Sequence, residues 1–564
     1  MLTSSDDIQI TISGHIHNLS DLCTRLGIAK AQACTTRVLV LAWRHWGEAM
    51  AEHLVGDFAL ALHDNLRGVT YLARDPLGVK PLYYHIERQQ LHYGFSVPEL
   101  KRLSPRPLTK DADWAATYLL DLSFSQTESA YKEIKKLAPG CWARFDAEGR
   151  VNIQRYHRWR DDPPFSTHCD SRWVDDYREI LEESIRCRME PHHPMGTENS
   201  GGIDSATITA YLAHFLGEPG DRLHSFSFAL CEHEPAYILE TSQAKRIRHN
   251  YVITDRYGPA DQESRVAQSL AAIGYPEEHA NASGHIPFYE ECQKRGIRTL
   301  FSGFGGDEIV TNTGQHLRFE LLDRHQYGAL WKTLQGNPLM RTLRLLKAAT
   351  VSRRSPSANL NFIKAWTQRL PQQLLRPEIV QRLELYERYM EAAVYDAPYR
   401  RTNDFILQHH LGRMQIAARL ESCCVMAAAY GVDYRWPLWD ARLVQQYLST
   451  PSIEKFGPKG IGRYLHRRAI DGIVPKRVAW KQSKDMGYAL LHQKKNGADI
   501  QQLAKQAQTL ESRLHPALEA LIDRQKFRGQ IARAEKGSVD NEFGFMFRRS
   551  FATLSRLNEW LDGL

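Results

Sequence analysis

The sequence predicts two mixed parts: a layered β-rich part over residues 1–158, and a doubly wound parallel α/β part with a helical C-terminal portion over residues 170–564. Three observations carry this. The chain has 564 residues, more than one hydrophobic core usually holds. Short alternating strands separated by turn signals fill the first ~155 residues, a pattern of antiparallel or layered sheets. Beyond the polar, proline-bearing stretch that starts at Arg160, strands and helices alternate, which argues a parallel sheet covered on both faces.

The elements follow in order. "DIQITISG", "GDFALALHD", "GVTYLARD", "PLYYHI" and "LHYGFS" read as strands, and the segment from Thr36 reads as a helix. Residues Asp146 to Gly149 form the turn of a hairpin. "RDDPPFSTHCDS" is the linker candidate. After it, a helix precedes "EPHHPMGTEN", which is too polar for a good buried strand. Strands are expected at 223–230, 250–254 and 298–303, with helices between them. From about residue 315 the chain reads as helical, and the basic stretch "RTLRLLKAATVSRRS" reads as a solvated helix face.

Composition bounds the function. With 43% hydrophobic and 24% charged residues, the chain is an ordinary globular protein. No apolar run has the ~18 residues needed to span a membrane, and the acidic N-terminus lacks a signal-peptide pattern. A cytoplasmic protein is expected, with no membrane partner. The net charge of +8 suits an anionic substrate and gives no sign of nucleic acid. The nine cysteines show no metal-ligand spacing and read as reduced thiols.

Two glycine turns carry the chemistry. Ser200, Gly201, Gly202, Ile203, Asp204 and Ser205 open a helix, where backbone N–H groups and small residues form an anion site. Asp204 would repel a bare phosphate, so its presence there points to a magnesium ion held on phosphate oxygens. About 100 residues later "SGFGGDE" ends a strand with Ser302, Gly303, Phe304 and Asp307. Ligands in open α/β sheets bind at the carboxyl ends of strands, so Asp204 and Asp307 could share one magnesium ion.

These residues resemble the asparagine synthetase family. "SGGIDS" is similar to the pyrophosphate loop of ATP pyrophosphatases, and its pairing with "SGFGGDE" is specific to that family. "GDFALALHDNLRGVTYLARDPLGVKPLYY" resembles part of its glutaminase domain. "RLESCCVMAAAYGVDYRWPLWDARLV" resembles its R-x-P-x-x-D segment, through Arg435, Pro437 and Asp440. "GRYLHRRAIDGIVPKRVAWKQSKDMG" resembles its C-terminal basic segment.

The resemblance implies an αββα glutaminase-like first domain of the N-terminal-nucleophile type, then an adenylating domain. It implies ATP and Mg²⁺ as cofactors, with AMP and pyrophosphate as products. Ser200, Gly201, Gly202, Asp204 and Ser205 would bind pyrophosphate, and Ser302 and Gly303 would lie by the nucleotide. Asp204 and Asp307 would hold the metal. Lys484, with Lys481 as the alternative, would reach the α-phosphate.

The chain also departs from the family. It begins "MLTSS", without the cysteine that follows the initiator methionine in the family's glutaminases, and Cys23 and Cys34 lie in or beside helices. A degenerate first domain without glutamine hydrolysis is therefore expected. Ammonia-using members carry a glutamate where this chain has Phe304, and phenylalanine cannot take a proton.

Both departures resemble the lactam-forming branch, which includes β-lactam synthetases and lasso peptide cyclases. The expected reaction is macrolactam closure of a precursor peptide, with a leader peptidase and a leader-recognition protein as partners. His279, Glu277, Glu278 and Glu421 are candidates near the acceptor site. Asparagine synthetase is the alternative, and a small-molecule cyclase like β-lactam synthetase a further one.

Overall fold

The computed structural model describes residues 2–5, 7–29, 34–120, 122–228, 234–253, 259–278, 281–351, 374–385, 387–388, 399–412, 414–481, 500–537 and 541–563. The strands are β1 (Leu2–Ser5), β2 (Ile8–Ile16), β3 (Gly56–Asp64), β4 (Val69–Arg74), β5 (Tyr83–Glu87), β6 (Gln90–Gly94), β7 (Lys135–Lys136), β8 (Cys141–Asp146) and β9 (Val151–Arg155) in the first part. They form an antiparallel sheet in the order β1-β2-β3-β4-β8-β9 and a smaller one in the order β6-β5-β7.

Strand alternation sorts the side chains into layers. Ile8, Ile10, Phe58, Leu60, Leu62, Tyr71 and Trp142 pack with Leu22, Val38, Leu39 and Trp43 of the helices Leu19–Arg25 and Thr35–Trp46. Ala59, Ala61, Leu72, Cys141, Ala143 and Phe145 face the other way, onto Tyr84 of the smaller sheet and Leu82 just before it. Tyr83, one residue from Tyr84, joins Val97, Leu100, Trp114 and Ala115 from the helices Val97–Leu103 and Ala112–Tyr118. The result is helix, sheet, sheet, helix: the αββα arrangement expected.

The second part holds β10 (Met195–Glu198), β11 (Leu223–Phe228), β12 (His249–Ile253), β13 (Thr299–Phe301) and β14 (Asp433–Arg435). They pair in parallel in the order β12-β11-β10-β13-β14. Helices Ile203–Leu216, Glu234–Ala244, Pro259–Ile273 and Ile286–Lys294 connect successive strands, and Gln415–Ala429 leads into β14. Beyond β14 the described residues are helical, ending in Asn541–Asp562.

The polar "EPHHPMGTEN" stretch nevertheless supplies the central strand. Gly196 lets Leu300 and Phe226 close in from both sides, each 3.0 Å from where its Cβ would lie. Thr197 hides its hydroxyl in a 3.0 Å bond to Thr209. Glycine in a strand marks such close approach, which a hydrophobicity pattern does not register.

Buried ion pairs join the two parts. Arg74 reaches Glu421 at 2.5 Å, and Lys136 lies 3.1 Å from Glu421 and 2.9 Å from Glu278. Arg188 bridges Asp57, at 2.6 Å, and Asp440, at 2.7 Å. Lys80 pairs with Asp433 at 2.9 Å. Burial alone would raise Asp57 and Asp440, but Arg188 outweighs it and holds both well below the usual carboxylate range.

Glu278 and Glu421 thus serve as anchors between the two parts, not as acceptor-site groups. Glu277 is buried too, its carboxylate taken up by Ser283. His279 lies outside the described residues.

Removing one partner from such a network leaves the others buried and unpaired. Glu421→Ala should therefore lower stability by about 3–5 kcal/mol, read from the midpoint of urea unfolding. A loss under ~1 kcal/mol would mean that the charges rehydrate and anchor nothing.

Candidate active site

The site lies where the strand order of the parallel sheet reverses. Strand order runs outward from β10 to β12 on one side and through β13 to β14 on the other. The crevice between β10 and β13, at their carboxyl ends, is where such sheets take ligands.

β10 runs into the first glycine turn. Gly201 has φ +68°, a left-handed conformation that glycine adopts freely. Helix Ile203–Leu216 then starts, with Gly202 as its N-cap. Ser200 and Ser205 lock the turn: the Ser205 hydroxyl accepts from the Ser200 backbone N–H at 3.1 Å and lies 3.0 Å from the Ser200 hydroxyl. The Gly201 carbonyl accepts from Lys481 Nζ at 2.6 Å, and that ammonium sits 4.5 Å from the centre of the Tyr237 ring.

β13 runs into the second turn, which lies directly on the first. A Cβ on Gly303 would overlap the backbone of Asp204 and Ser205. One on Gly306 would come within 2.7 Å of Asp204 Oδ1, and one on Gly305, at φ +91°, within 2.9 Å of the Trp439 ring. The three glycines are there because nothing larger fits. Phe304 escapes the constraint because its side chain packs against the main core, beneath Arg419, whose guanidinium carbon stands 3.4 Å from the ring centre.

Between the turns sit Asp204 and Asp307, and one guanidinium holds both. Arg463 Nη1 is 2.7 Å from Asp204 Oδ2, and its Nη2 is 3.2 Å from Asp307 Oδ2. Thr311 donates to the other Asp204 oxygen at 2.5 Å. Burial raises the Asp204 carboxyl, Arg463 lowers it and Asp307 raises it, and the balance stays above the ordinary value. Burial, and then Asp307, push neighbouring Glu308 up to about 8, and its buried Oε2 has no hydrogen-bond partner among the described residues.

Two carboxylates gathered on a borrowed cation fit a divalent metal. Among the described residues no three His, Cys, Asp or Glu side chains form a metal-binding group, so a metal on Asp204 and Asp307 would draw its further ligands from outside such a group, as phosphate oxygens and water do. That is how magnesium usually binds in nucleotide sites. The paired glycine turns could offer an anion cradle beside it.

Family models match both parts of the chain. The asparagine synthase model matches residues 176–562, and the glutamine amidotransferase domain model matches residues 1–157. The chain belongs to the asparagine synthase family.

Among its relatives, glutamine-hydrolyzing asparagine synthetase 1 of Bacillus subtilis is 23% identical over 519 residues, 89% of this chain and 79% of that protein. Asparagine synthetase 3 of the same organism is 30% identical over 230 residues, 39% of this chain and 36% of that protein. A putative asparagine synthetase of Methanocaldococcus jannaschii is 24% identical over 326 residues, 56% of this chain and 61% of that protein. Asparagine synthetase family enzymes use ATP with Mg²⁺ and form AMP and pyrophosphate.

Of the residues singled out in the sequence, the structure brings together Ser200, Gly201, Gly202, Asp204, Ser205, Ser302, Gly303 and Asp307. Lys484 lies outside the described residues, while Lys481 sits on the first turn. Sequence reasoning missed Arg463 and Thr311. Arg463 stands in the basic "GRYLHRR" run, but nothing in that run marks which arginine turns inward. Arg463 has a left-handed φ of +59° and is the N-cap residue of helix Tyr464–Ala469.

Removing Arg463 would leave the Asp204 and Asp307 carboxylates repelling each other unless another cation joins them. Arg463→Ala should lower stability in metal-free buffer, and added Mg²⁺ with ATP should raise its melting temperature more than that of the wild type. An equal rise in both proteins would detach the arginine from the metal site.

Proposed function

We propose that the chain joins a carboxylate to an amine at the expense of ATP, and that it closes the macrolactam ring of a precursor peptide. The carboxylate attacks the α-phosphate, giving an acyl adenylate and pyrophosphate. The amine then attacks the acyl carbon and AMP leaves.

The chain's own residues do electrostatic work in this scheme. The turns at 200–205 and 302–307 would cradle the phosphates. Lys481, or Lys484, would carry positive charge to them. Magnesium held by Asp204 and Asp307 would neutralise charge on the departing pyrophosphate. Arg463, freed from the carboxylates, is placed to meet that anion as well.

Phe304 is the observation that carries the choice of substrate. The ammonia-using members need a carboxylate there, and here the position holds an apolar ring under an arginine. That supports an acceptor amine delivered by a large substrate, held close to its own carboxylate. Holding both ends of one peptide is a proximity effect that an enzyme can supply. A leader peptidase and a leader-recognition protein belong to this reading as partners.

The relatives' names favour a second reading, aspartate amidation by ammonia or glutamine. A small-molecule cyclase of the β-lactam synthetase kind is a third. ATP–pyrophosphate exchange separates the first two. A leaderless peptide with a free α-amine and a side-chain carboxylate should support exchange and lose one water in mass, while aspartate should do neither. Exchange with aspartate alone would return the chain to aspartate amidation.

A further inference from the structure

Glu198 is the oddest residue of the first turn, a carboxylate two positions before the phosphate-binding serine. The structure turns it away from the phosphate loop and across the crevice. Glu198 ends β10, Ser302 follows β13 and Tyr434 lies in β14. Ser302 donates to Glu198 Oε2 at 2.6 Å, spanning the point where strand order reverses. The Tyr434 hydroxyl donates to Oε1.

His285, the N-cap residue of helix Ile286–Lys294, faces the same carboxylate. Its Nδ1 is 3.3 Å from the Tyr434 hydroxyl and 3.7 Å from Glu198 Oε1. Its Nε2 has no hydrogen-bond partner among the described residues. The group adjoins Phe304, because the Ser302 hydroxyl that binds Glu198 also accepts from the Phe304 backbone N–H at 3.1 Å.

We propose that His285 accepts the proton of the attacking amine, with Glu198 and Tyr434 as positioning residues, in place of the carboxylate that Phe304 excludes. The assignment rests on the adenylation reading above and deepens it. In the step, the amine nitrogen bonds to the acyl carbon. The bond from that carbon to the AMP oxygen breaks, and AMP keeps the electron pair. The proton lost by nitrogen passes to His285 Nε2.

The surroundings suit the role. Burial lowers the imidazole pKa, Glu198 raises it and Arg419 lowers it again, with the balance below the ordinary 6.5. The ring is therefore neutral at pH 7 and free to take a proton. Once protonated it sits against the Glu198 carboxylate, which stabilises the cation. Phe228 and Phe288 pack against the ring, and Arg419 and Tyr434 are the other polar groups that face it. The competing explanation is that Glu198 merely ties three strand ends together.

The test measures the two half-reactions separately on the full chain, with aspartate and with a leaderless peptide, using whichever supports pyrophosphate exchange in the wild type. His285→Gln should keep exchange within about twofold and lose about 100-fold in amide formation, the usual size of a general-base effect. The acidic limb of the single-turnover amide rate should vanish with it. Glu198→Gln, which removes the charge and leaves an acceptor for only one of the two hydroxyls, should move that limb to lower pH.

A His285→Gln variant that forms amide at the wild-type rate overturns the assignment. So does an equal loss of exchange and amide formation in both variants, which is what a strand tie would give. Absence of exchange with any carboxylate in the wild type overturns the adenylation reading itself, and this assignment with it.

Discussion

The site depends on one steric fact: the turn after β13 lies on the turn after β10 with no room for a side chain between them. Gly303 meets the backbone of Asp204 and Ser205, and Gly306 meets the Asp204 carboxylate. Because the turns touch, the two aspartates sit near enough for one guanidinium to reach both. Because the strands that carry them are neighbours at the reversal of the sheet, both turns open onto one crevice. That contact is what brings the two glycine turns and the two aspartates to one place.

A second constraint comes from the first domain. Arg74, Lys80 and Lys136 enter the second part as buried cations and meet Glu421, Asp433 and Glu278. Glu421 stands in the helix that carries Arg419, and Asp433 precedes Tyr434 in β14. The αββα domain therefore helps fix the wall of the crevice where Phe304 and His285 lie. This gives the first domain a structural task that needs no chemistry of its own.

Much of this was legible in the sequence, and the reasons differ by element. The glycine turns were legible because backbone approach leaves its mark in residue type: only glycine tolerates the contacts at 303 and 306. The αββα layers were legible because strand alternation separates Trp142 from Cys141 and Ala143. β10 was hard to see, since a strand with glycine and threonine at its centre carries no hydrophobic signature. Glu277, Glu278 and Glu421 were misread because a carboxylate near a site looks the same in sequence whether it faces substrate or a buried lysine. Arg463 and His285 went unseen because long-range pairing, across 259 residues for Arg463 and Asp204, leaves no local trace.

The central claim is that Asp204 and Asp307, which the Arg463 guanidinium bridges, would together hold a divalent metal. The most direct measurement is a crystal structure with Mn²⁺ and a non-hydrolysable ATP analogue, read by anomalous scattering. The account predicts a manganese peak between the two carboxylates, phosphate oxygens completing its shell, and the Arg463 guanidinium swung off both aspartates toward the phosphates. A nucleotide bound with Arg463 still bridging the aspartates, and no manganese between them, would contradict it.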